Sequence, residues 1–250
     1  EEYRFYEKQD IEDYLALIAL TGDYFDQIIE FERKKASAGL FMPDFACDTI
    51  ISQCEAFTQN RKEHYLITTF DHKLSQMTEL SDAERQTYQA KNETLVKETI
   101  LPAYEKLASA LTELLGSGTN NAGLCHFPNG AKYYEYLVRH NTGSDKSVRE
   151  IQKMVEEQCS QDLSDAGILM LQHPGLEEKC ASVRLDGMDS VATLHVLQEE
   201  MLTQFPAAPD TEFTVSYIDE CMEDYMAPAF YITAPIDNYR KNSIFINGST

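Results

Sequence analysis

The six histidines are the residues of this sequence best suited to bind a metal or to transfer protons near neutral pH. A zinc peptidase helix of the H-E-x-x-H type carries two histidines four residues apart, with a glutamate as general base after the first. None of the six is followed by Glu, and none has a second histidine four residues on; they are His64, His72, His126, His140, His173 and His195. The sequence therefore predicts no metal ligands and no catalytic residues in this chain.

Motifs for phosphate binding and for nucleophilic catalysis are also missing. Neither G-x-x-x-x-G-K-[ST] nor G-x-G-x-x-G occurs, and there is no G-x-S-x-G. Cys125 is next to His126, but a nucleophile and its base normally meet through the fold and are rarely neighbours on a loop. We therefore predict no hydrolase or phosphate site of these types.

Tyrosine is the residue type that most favours a binding role, since the chain has 14 tyrosines and no tryptophan. One group contains Tyr133 and Tyr134, and a second contains Tyr231 and Tyr239 beside Arg240. A buried tyrosine usually packs its ring and satisfies its hydroxyl, and this structural interpretation covers most of them. Because tyrosine, arginine and asparagine beside a groove also bind a peptide backbone or carboxylate, the second group is the stronger binding candidate.

The net charge of −21 comes from 42 acidic and 21 basic residues spread along the chain. Such a surface repels nucleic acid backbones and anionic lipid, because binding to both depends on Lys and Arg. No stretch approaches the roughly 20 apolar residues that cross a bilayer. We predict no nucleic acid partner and no transmembrane segment.

The cysteines form no C-x-x-C pair among their six positions. Cys47 and Cys54 lie in one predicted helix, about 10 Å apart along its axis, which is too far for a disulfide. We expect free thiols packed as small apolar groups.

Apolar residues recur at helical spacing over most of the chain. DIEDYLALIAL and GDYFDQIIEFERKKASAGL predict two helices, broken at Gly22 and paired as an antiparallel hairpin. HYLITTFDHKLSQM suits a helix or a strand, and the caps that follow it favour a helix. A capping box of Ser81 and Glu84 predicts the start of a long helix that reaches Gly116 with a kink at Pro102.

A second capping box, Ser147 with Glu150, predicts another long helix. After PAAPD the apolar period changes towards two, and EFTVSYI, AFYITAP and NSIFIN are typical of strands. Pro228 and Pro235 bound these segments, which suits edge strands or turns. The sequence predicts a mainly α fold, a multi-helix body of antiparallel helical hairpins with a small antiparallel β element near the C-terminus.

We predict one domain over 1–250. Its parts are helical hairpins over 1–115, a linker over 116–127, further helices over 128–206 and the small sheet over 207–250.

Several segments in a fixed order resemble the N-terminal half of the bacterial DUF885 family. They are GLFMPDF, ILPAYEKL, PNGAKYYEYLVRHNTG with an S-x-x-E helix start after it, and PAFYITAPIDNYRKNSIFIN. Full members of that family are about twice as long and look like zinc metallopeptidases of the helical gluzincin type. Their H-E-x-x-H helix and their Glu ligand lie C-terminal to the matched region.

The resemblance implies that this chain is a non-catalytic portion that stops before the metal-binding helix. It implies zinc in the full-length parent and no cofactor bound by this chain. The implied partners are the C-terminal half of the parent and a peptide substrate. The final strands would then line the substrate cleft, with Tyr231, Tyr239 and Arg240 near one wall.

Two other functions stay open from the sequence. One is a stand-alone protein that binds peptides or small ligands, for which the acidic surface favours cations. The other is a helical interaction scaffold. If the chain is half of a larger fold, we expect an exposed apolar face and self-association through it. The start EEYRFYEKQDIEDY resembles a trimmed or mature chain, and an extracellular or cell-envelope location, lipid-anchored in some family members, is preferred over the cytoplasm.

Overall fold

The computed structural model describes residues 3–121, 123–182, 189–206, 212–234, 236 and 238–249, except the side chains of Gln204 and Cys221. Pro235 and the first residues of the predicted sheet region, 207–211, lie outside the described residues.

Helices make up most of the described chain, as predicted. They are α1 (Lys8–Ala19), α2 (Thr21–Ser37), α3 (Asp44–Phe57), α4 (Tyr65–Gln76), α5 (Asp82–Leu95), α6 (Leu101–Leu114), α7 (Gly130–Thr142), α8 (Val148–Gln172), α9 (Leu176–Ser182) and α10 (Ser190–Gln204). The strands are β1 (Glu212–Tyr217), β2 (Ala229–Ile232) and β3 (Lys241–Ile246). The mainly α fold with a small sheet near the C-terminus is confirmed. No helix in the described ranges is both long enough and apolar enough to cross a membrane.

The chain divides into two compact units. The first contains Glu1–Asn121, Ile218–Pro228 and Asn247–Thr250, and the second contains Ala122–Tyr217 and Ala229–Ile246. The first unit therefore holds α1 to α6, and the second holds α7 to α10 with the three strands.

Of three clusters of buried apolar side chains in the first unit, the smallest contains Ile67, Val96, Ile100 and Leu101, and the other two are larger. One lies between α2, α3 and α6, and its buried members include Ile29, Phe41, Cys47, Ile51, Cys54, Leu107 and Leu111. The other lies between α1, α4 and α5, and its buried members are Ile11, Leu15, Phe70, Leu74, Met77 and Leu80. Within α1, α3, α4 and α6, buried members of these clusters lie three or four positions apart, which is the spacing that places side chains on one helical face.

The connection between α1 and α2 differs from the prediction. Leu20 alone separates them, and its φ of −83° and ψ of −3° stay in the right-handed region, while Gly22 lies inside α2. Helical hairpins use connections of about 2–5 residues. The predicted antiparallel hairpin is therefore wrong for these two helices, and each packs in a different core.

The predicted long helix runs through a π turn. Its capping box is confirmed, because the backbone N–H of Glu84 donates to Ser81 Oγ at 3.3 Å and that of Ser81 donates to Glu84 Oε2 at 2.9 Å. Lys8 also donates to the Glu84 carboxylate, and these hydrogen bonds lower the pKa of Glu84 to about 2. The π segment Val96–Ile100 directly precedes α6, and Pro102 lies in the first turn of α6. A proline that lacks an N–H and a π turn are both causes of helix kinks.

The sheet is mixed, with the strand order β1-β3-β2. β2 pairs antiparallel with β3, as predicted, whereas β1 pairs parallel with β3. A parallel pair needs a connection of a dozen or more residues, and the stretch between β1 and β3, which includes β2, provides it. The purely antiparallel arrangement is therefore wrong for β1.

The cysteines follow the prediction only in part. Cys47 and Cys54 are free and buried in the core of α2, α3 and α6. Cys125, Cys159 and Cys180 are free and exposed, so these thiols are not packed as small apolar groups.

Candidate functional site

The three strands place two tyrosines on one face of the sheet. In the register of the pairs, Tyr231 of β2 lies opposite Ile244 of β3, and Tyr217 of β1 lies opposite Ile246. Successive side chains of a strand point to opposite faces, so Tyr231, Ile244 and Tyr217 share a face. Both tyrosines are more than half exposed, at 55% for Tyr231 and 51% for Tyr217. This face is a surface on which a ligand can contact aromatic rings.

Asn242 connects three of the predicted binding residues. Its side-chain amide donates to the backbone oxygens of Glu212 at 3.1 Å, Arg240 at 3.2 Å and Tyr239 at 3.5 Å. Its Oδ1 accepts a hydrogen bond from the hydroxyl of Tyr231. Tyr231, Tyr239 and Arg240 are thus brought together, with Asn242 as the residue that the sequence analysis did not single out.

The outer edge of β2 is open in the described part of the chain, because β2 is the last strand in the sheet order. The backbone N–H of Asn247 donates to Pro228 O at 2.9 Å, which makes 228 and 247 a hydrogen-bonded pair of this antiparallel ladder. Such pairs alternate along the ladder, so Phe230 and Ile232 face β3, whereas the N–H and C=O groups of Ala229 and Tyr231 point outward. β2 therefore presents a short row of backbone donors and acceptors at its outer edge.

Tyr133 and Tyr134 lie elsewhere in the second unit, on α7. Both are about half exposed, and the ring of Tyr133 stacks on Tyr136 with the centroids 6.2 Å apart. Tyr136 in turn stacks on His140 at 5.9 Å. These tyrosines form an aromatic row along one helix, separate from the network of Asn242.

A cavity of about 400 Å³ in the first unit was missed by the sequence analysis. Its lining includes the carboxylates Glu63, Asp219, Glu220 and Asp224 and the rings Phe57, His64, Tyr65 and Tyr225. No Lys or Arg is among the described residues that line it. The residues come from the end of α3, the start of α4 and the 3-10 turn Glu220–Tyr225, more than 150 positions apart. No motif or local period connects such distant segments.

His64 is a structural residue in the wall of this cavity. It is 3% exposed, its Nε2 lies 2.8 Å from Phe57 O, and its Nδ1 accepts a hydrogen bond from the backbone N–H of Leu66 at 3.3 Å. These contacts fit the neutral ring with the proton on Nε2. Burial lowers the pKa of His64. The hydrogen bond to Phe57 and the charge of Asp219 both raise it, but burial has the larger effect. Both ring nitrogens are used, so His64 caps α4 and has no lone pair left for a metal.

The described residues do not fit a zinc site. No group of three or more His, Cys, Asp and Glu side chains in the described ranges is arranged to hold a metal ion. The H-E-x-x-H pattern is missing from the sequence as well.

The described residues form a mainly helical protein with a small mixed sheet, and β2 is an edge strand of that sheet. The family model of DUF885, described as bacterial protein of unknown function, matches residues 1–250, so the chain belongs to the DUF885 family. The chain is similar over 100% of its length to the crystal structure of a putative lipoprotein from Colwellia psychrerythraea, with a TM-score of 0.80 and 16% identity. It covers 46% of that protein, which is less than half of its length. No curated protein matches. At 16% identity, this structural similarity shows a shared fold and nothing further.

The segments that resemble the family have clear structural roles here. In GLFMPDF, Phe41 is fully buried in the core of α2, α3 and α6. In ILPAYEKL, Leu101 is fully buried, and Tyr104 stacks on Phe57 with the centroids 4.0 Å apart. In PNGAK, Gly130 begins α7 where its backbone passes close to Leu124. These three segments therefore build apolar cores and the start of a helix.

Proposed function

We propose that this chain is the non-catalytic scaffold of a DUF885 metallopeptidase and that β2 forms one wall of its peptide-binding cleft. The observation that carries the proposal is the open edge of β2, with the outward N–H and C=O groups of Ala229 and Tyr231. An extended peptide adds to such an edge through backbone hydrogen bonds, and the neighbouring side chains select among peptides. Tyr231, held by Asn242, then contacts the peptide beside the edge.

The zinc and the catalytic residues belong, in this proposal, to polypeptide outside residues 1–250. The likeness to a solved protein of which this chain covers 46% supports a parent about twice as long. The partner of this chain is then the C-terminal half of the parent. That solved protein is named a putative lipoprotein, and this name supports a location at the cell envelope or outside the cell.

A pair of substitutions at Tyr231 tests peptide binding at the β2 edge. Tyr231→Ala keeps the outward N–H, whereas Tyr231→Pro removes it; an outward edge position is one where a sheet tolerates proline. We expect an extended octapeptide with alternating lysines to bind Tyr231→Pro at least tenfold more weakly than Tyr231→Ala. The measurement is the Kd by fluorescence anisotropy of the labelled peptide.

Far-ultraviolet circular dichroism of both variants checks that the sheet and helices persist. Equal Kd values for the two variants would remove the edge-binding proposal, and so would the absence of binding to the unsubstituted chain at millimolar peptide.

A second candidate function is the binding of a small organic cation in the cavity next to His64. The favouring observation is the lining of four carboxylates and aromatic rings, without a Lys or Arg among the described lining residues. Carboxylates and the faces of aromatic rings both attract an ammonium group. The volume of about 400 Å³ suits a ligand the size of an amino acid amide or a polyamine.

Thermal unfolding with spermidine and with lysinamide tests this second function. A ligand at a hundredfold excess over its Kd stabilises the folded state by about 2.7 kcal/mol, so we expect the Tm to rise by several degrees. The double variant Glu220→Gln, Asp224→Asn should lose most of this rise, whereas Asp145→Asn, outside the cavity, should keep it. An unchanged Tm at equal ionic strength with both cations contradicts cation binding here.

A further inference from the structure

The longest helix exposes its apolar side chains. α8 has 25 residues, and none of its side chains is buried in the described structure. At about 100° per residue, an arc of about 120° holds most of its large apolar side chains, whereas Met154, Ile168 and Leu171 lie outside that arc. We call six residues of that arc the α8 stripe; they are Ile151, Val155, Cys159, Leu163, Leu169 and Met170. Leu163 is 70% exposed and Val155 is 61% exposed.

An apolar stripe of this length normally faces another element. α8 is about 37 Å long, and an amphipathic helix in a folded protein buries its apolar face against a neighbour. Contiguous apolar side chains exposed on a protein surface mark an interaction surface. The α8 stripe therefore needs an occupant.

Charge argues against a second copy of this chain as the occupant. α8 carries five acidic residues and two basic ones, within a chain of net charge −21; the acidic ones are Glu150, Glu156, Glu157, Asp162 and Asp165. Two copies would place these like charges beside each other, which costs free energy in the low dielectric of an interface. A partner with basic residues around an apolar helical face suits the stripe better.

We propose that the α8 stripe is the docking surface for amphipathic helices with basic flanks from the remaining polypeptide of a longer DUF885 protein. This chain covers 46% of a solved protein of the same fold, so that protein extends well beyond the matched region. This inference shares one requirement with the proposed function, namely that the protein continues beyond residues 1–250. It assigns the contact to α8, whereas the peptide is assigned to β2.

Hydrogen exchange of α8 tests the docking surface. The amides of α8 should exchange at least tenfold more slowly in the longer product of the gene than in the chain of 250 residues. In the longer product, Leu163→Asp with Leu169→Asp should return this exchange towards the rate of the 250-residue chain. Ser160→Asp with Ser164→Asp adds the same two charges to α8 outside the stripe and should leave the exchange slow.

Three results would overturn the docking proposal. They are equal exchange of α8 in the two proteins, protection in the 250-residue chain that rises with its own concentration, and a gene without further coding sequence. Loss of peptide binding in Tyr231→Pro is independent of the first two results, so a failure of the β2 proposal and a failure at α8 can be told apart.

Discussion

Replacing Phe41 with alanine lowers the free energy of unfolding of the first unit by about 3–5 kcal/mol. Phe41 is fully buried between α2, α3 and α6, where the apolar groups around it include Ile29, Cys47 and Leu111. Removing the ring forfeits its burial and leaves a cavity that such a packed site fills only in part. Urea unfolding followed by circular dichroism measures the loss.

Phe45→Ala is the matched control for Phe41. Phe45 lies four residues on, in the first turn of α3, and is 69% exposed. Its replacement should change the free energy of unfolding by no more than about 0.5 kcal/mol, as for surface substitutions. A loss at Phe41 no larger than the change at Phe45 would contradict the assigned core.

Replacing Gly130 with alanine disrupts the start of α7. A Cβ at this position would lie 1.6 Å from Leu124 O and 2.7 Å from Leu124 C, and these are backbone atoms that no side-chain rotation can move. The backbone must shift, and overpacking of this kind costs about 1–3 kcal/mol or more. We expect faster hydrogen exchange in the first turns of α7 and a lower free energy of unfolding in urea.

Gly167→Ala serves as the matched control for Gly130. Gly167 lies within α8, and nothing is within 4 Å of a Cβ added there. Alanine in a helix interior is favoured over glycine by about 0.5–1 kcal/mol, so this variant should be slightly stabilised. A Gly130→Ala variant as stable as Gly167→Ala would show that the approach of Leu124 to α7 is not rigid.

Local patterns predicted the helices and strands well, because both depend on neighbours in the sequence. The capping boxes at Ser81 and Ser147 mark the starts of α5 and α8 as predicted. The break between α1 and α2 was placed at Gly22 instead of Leu20, because glycine weakens a helix without having to end it. The parallel pairing of β1 was missed because strand direction depends on the path of the connection and not on composition.

The residues of the candidate site were predictable only where they lie close together in the sequence. Tyr231, Tyr239 and Arg240 are close in sequence, and Asn242 links them in the structure. The cavity beside His64 joins residues near 60 with residues near 220, so no local signal predicted it. His64 itself is explained by its two hydrogen bonds, which only the fold could reveal.

The zinc content of the purified chain of 250 residues, measured together with its cleavage of a fluorogenic peptide, tests most directly whether it is a scaffold without a catalytic metal. Elemental analysis should give far less than one zinc per chain, and peptide cleavage should not respond to a chelator. Under the proposed function, a longer protein that includes this chain should contain one zinc and lose its cleavage when the metal is removed. Stoichiometric zinc in the 250-residue chain, with cleavage abolished by the chelator, would contradict the proposed function.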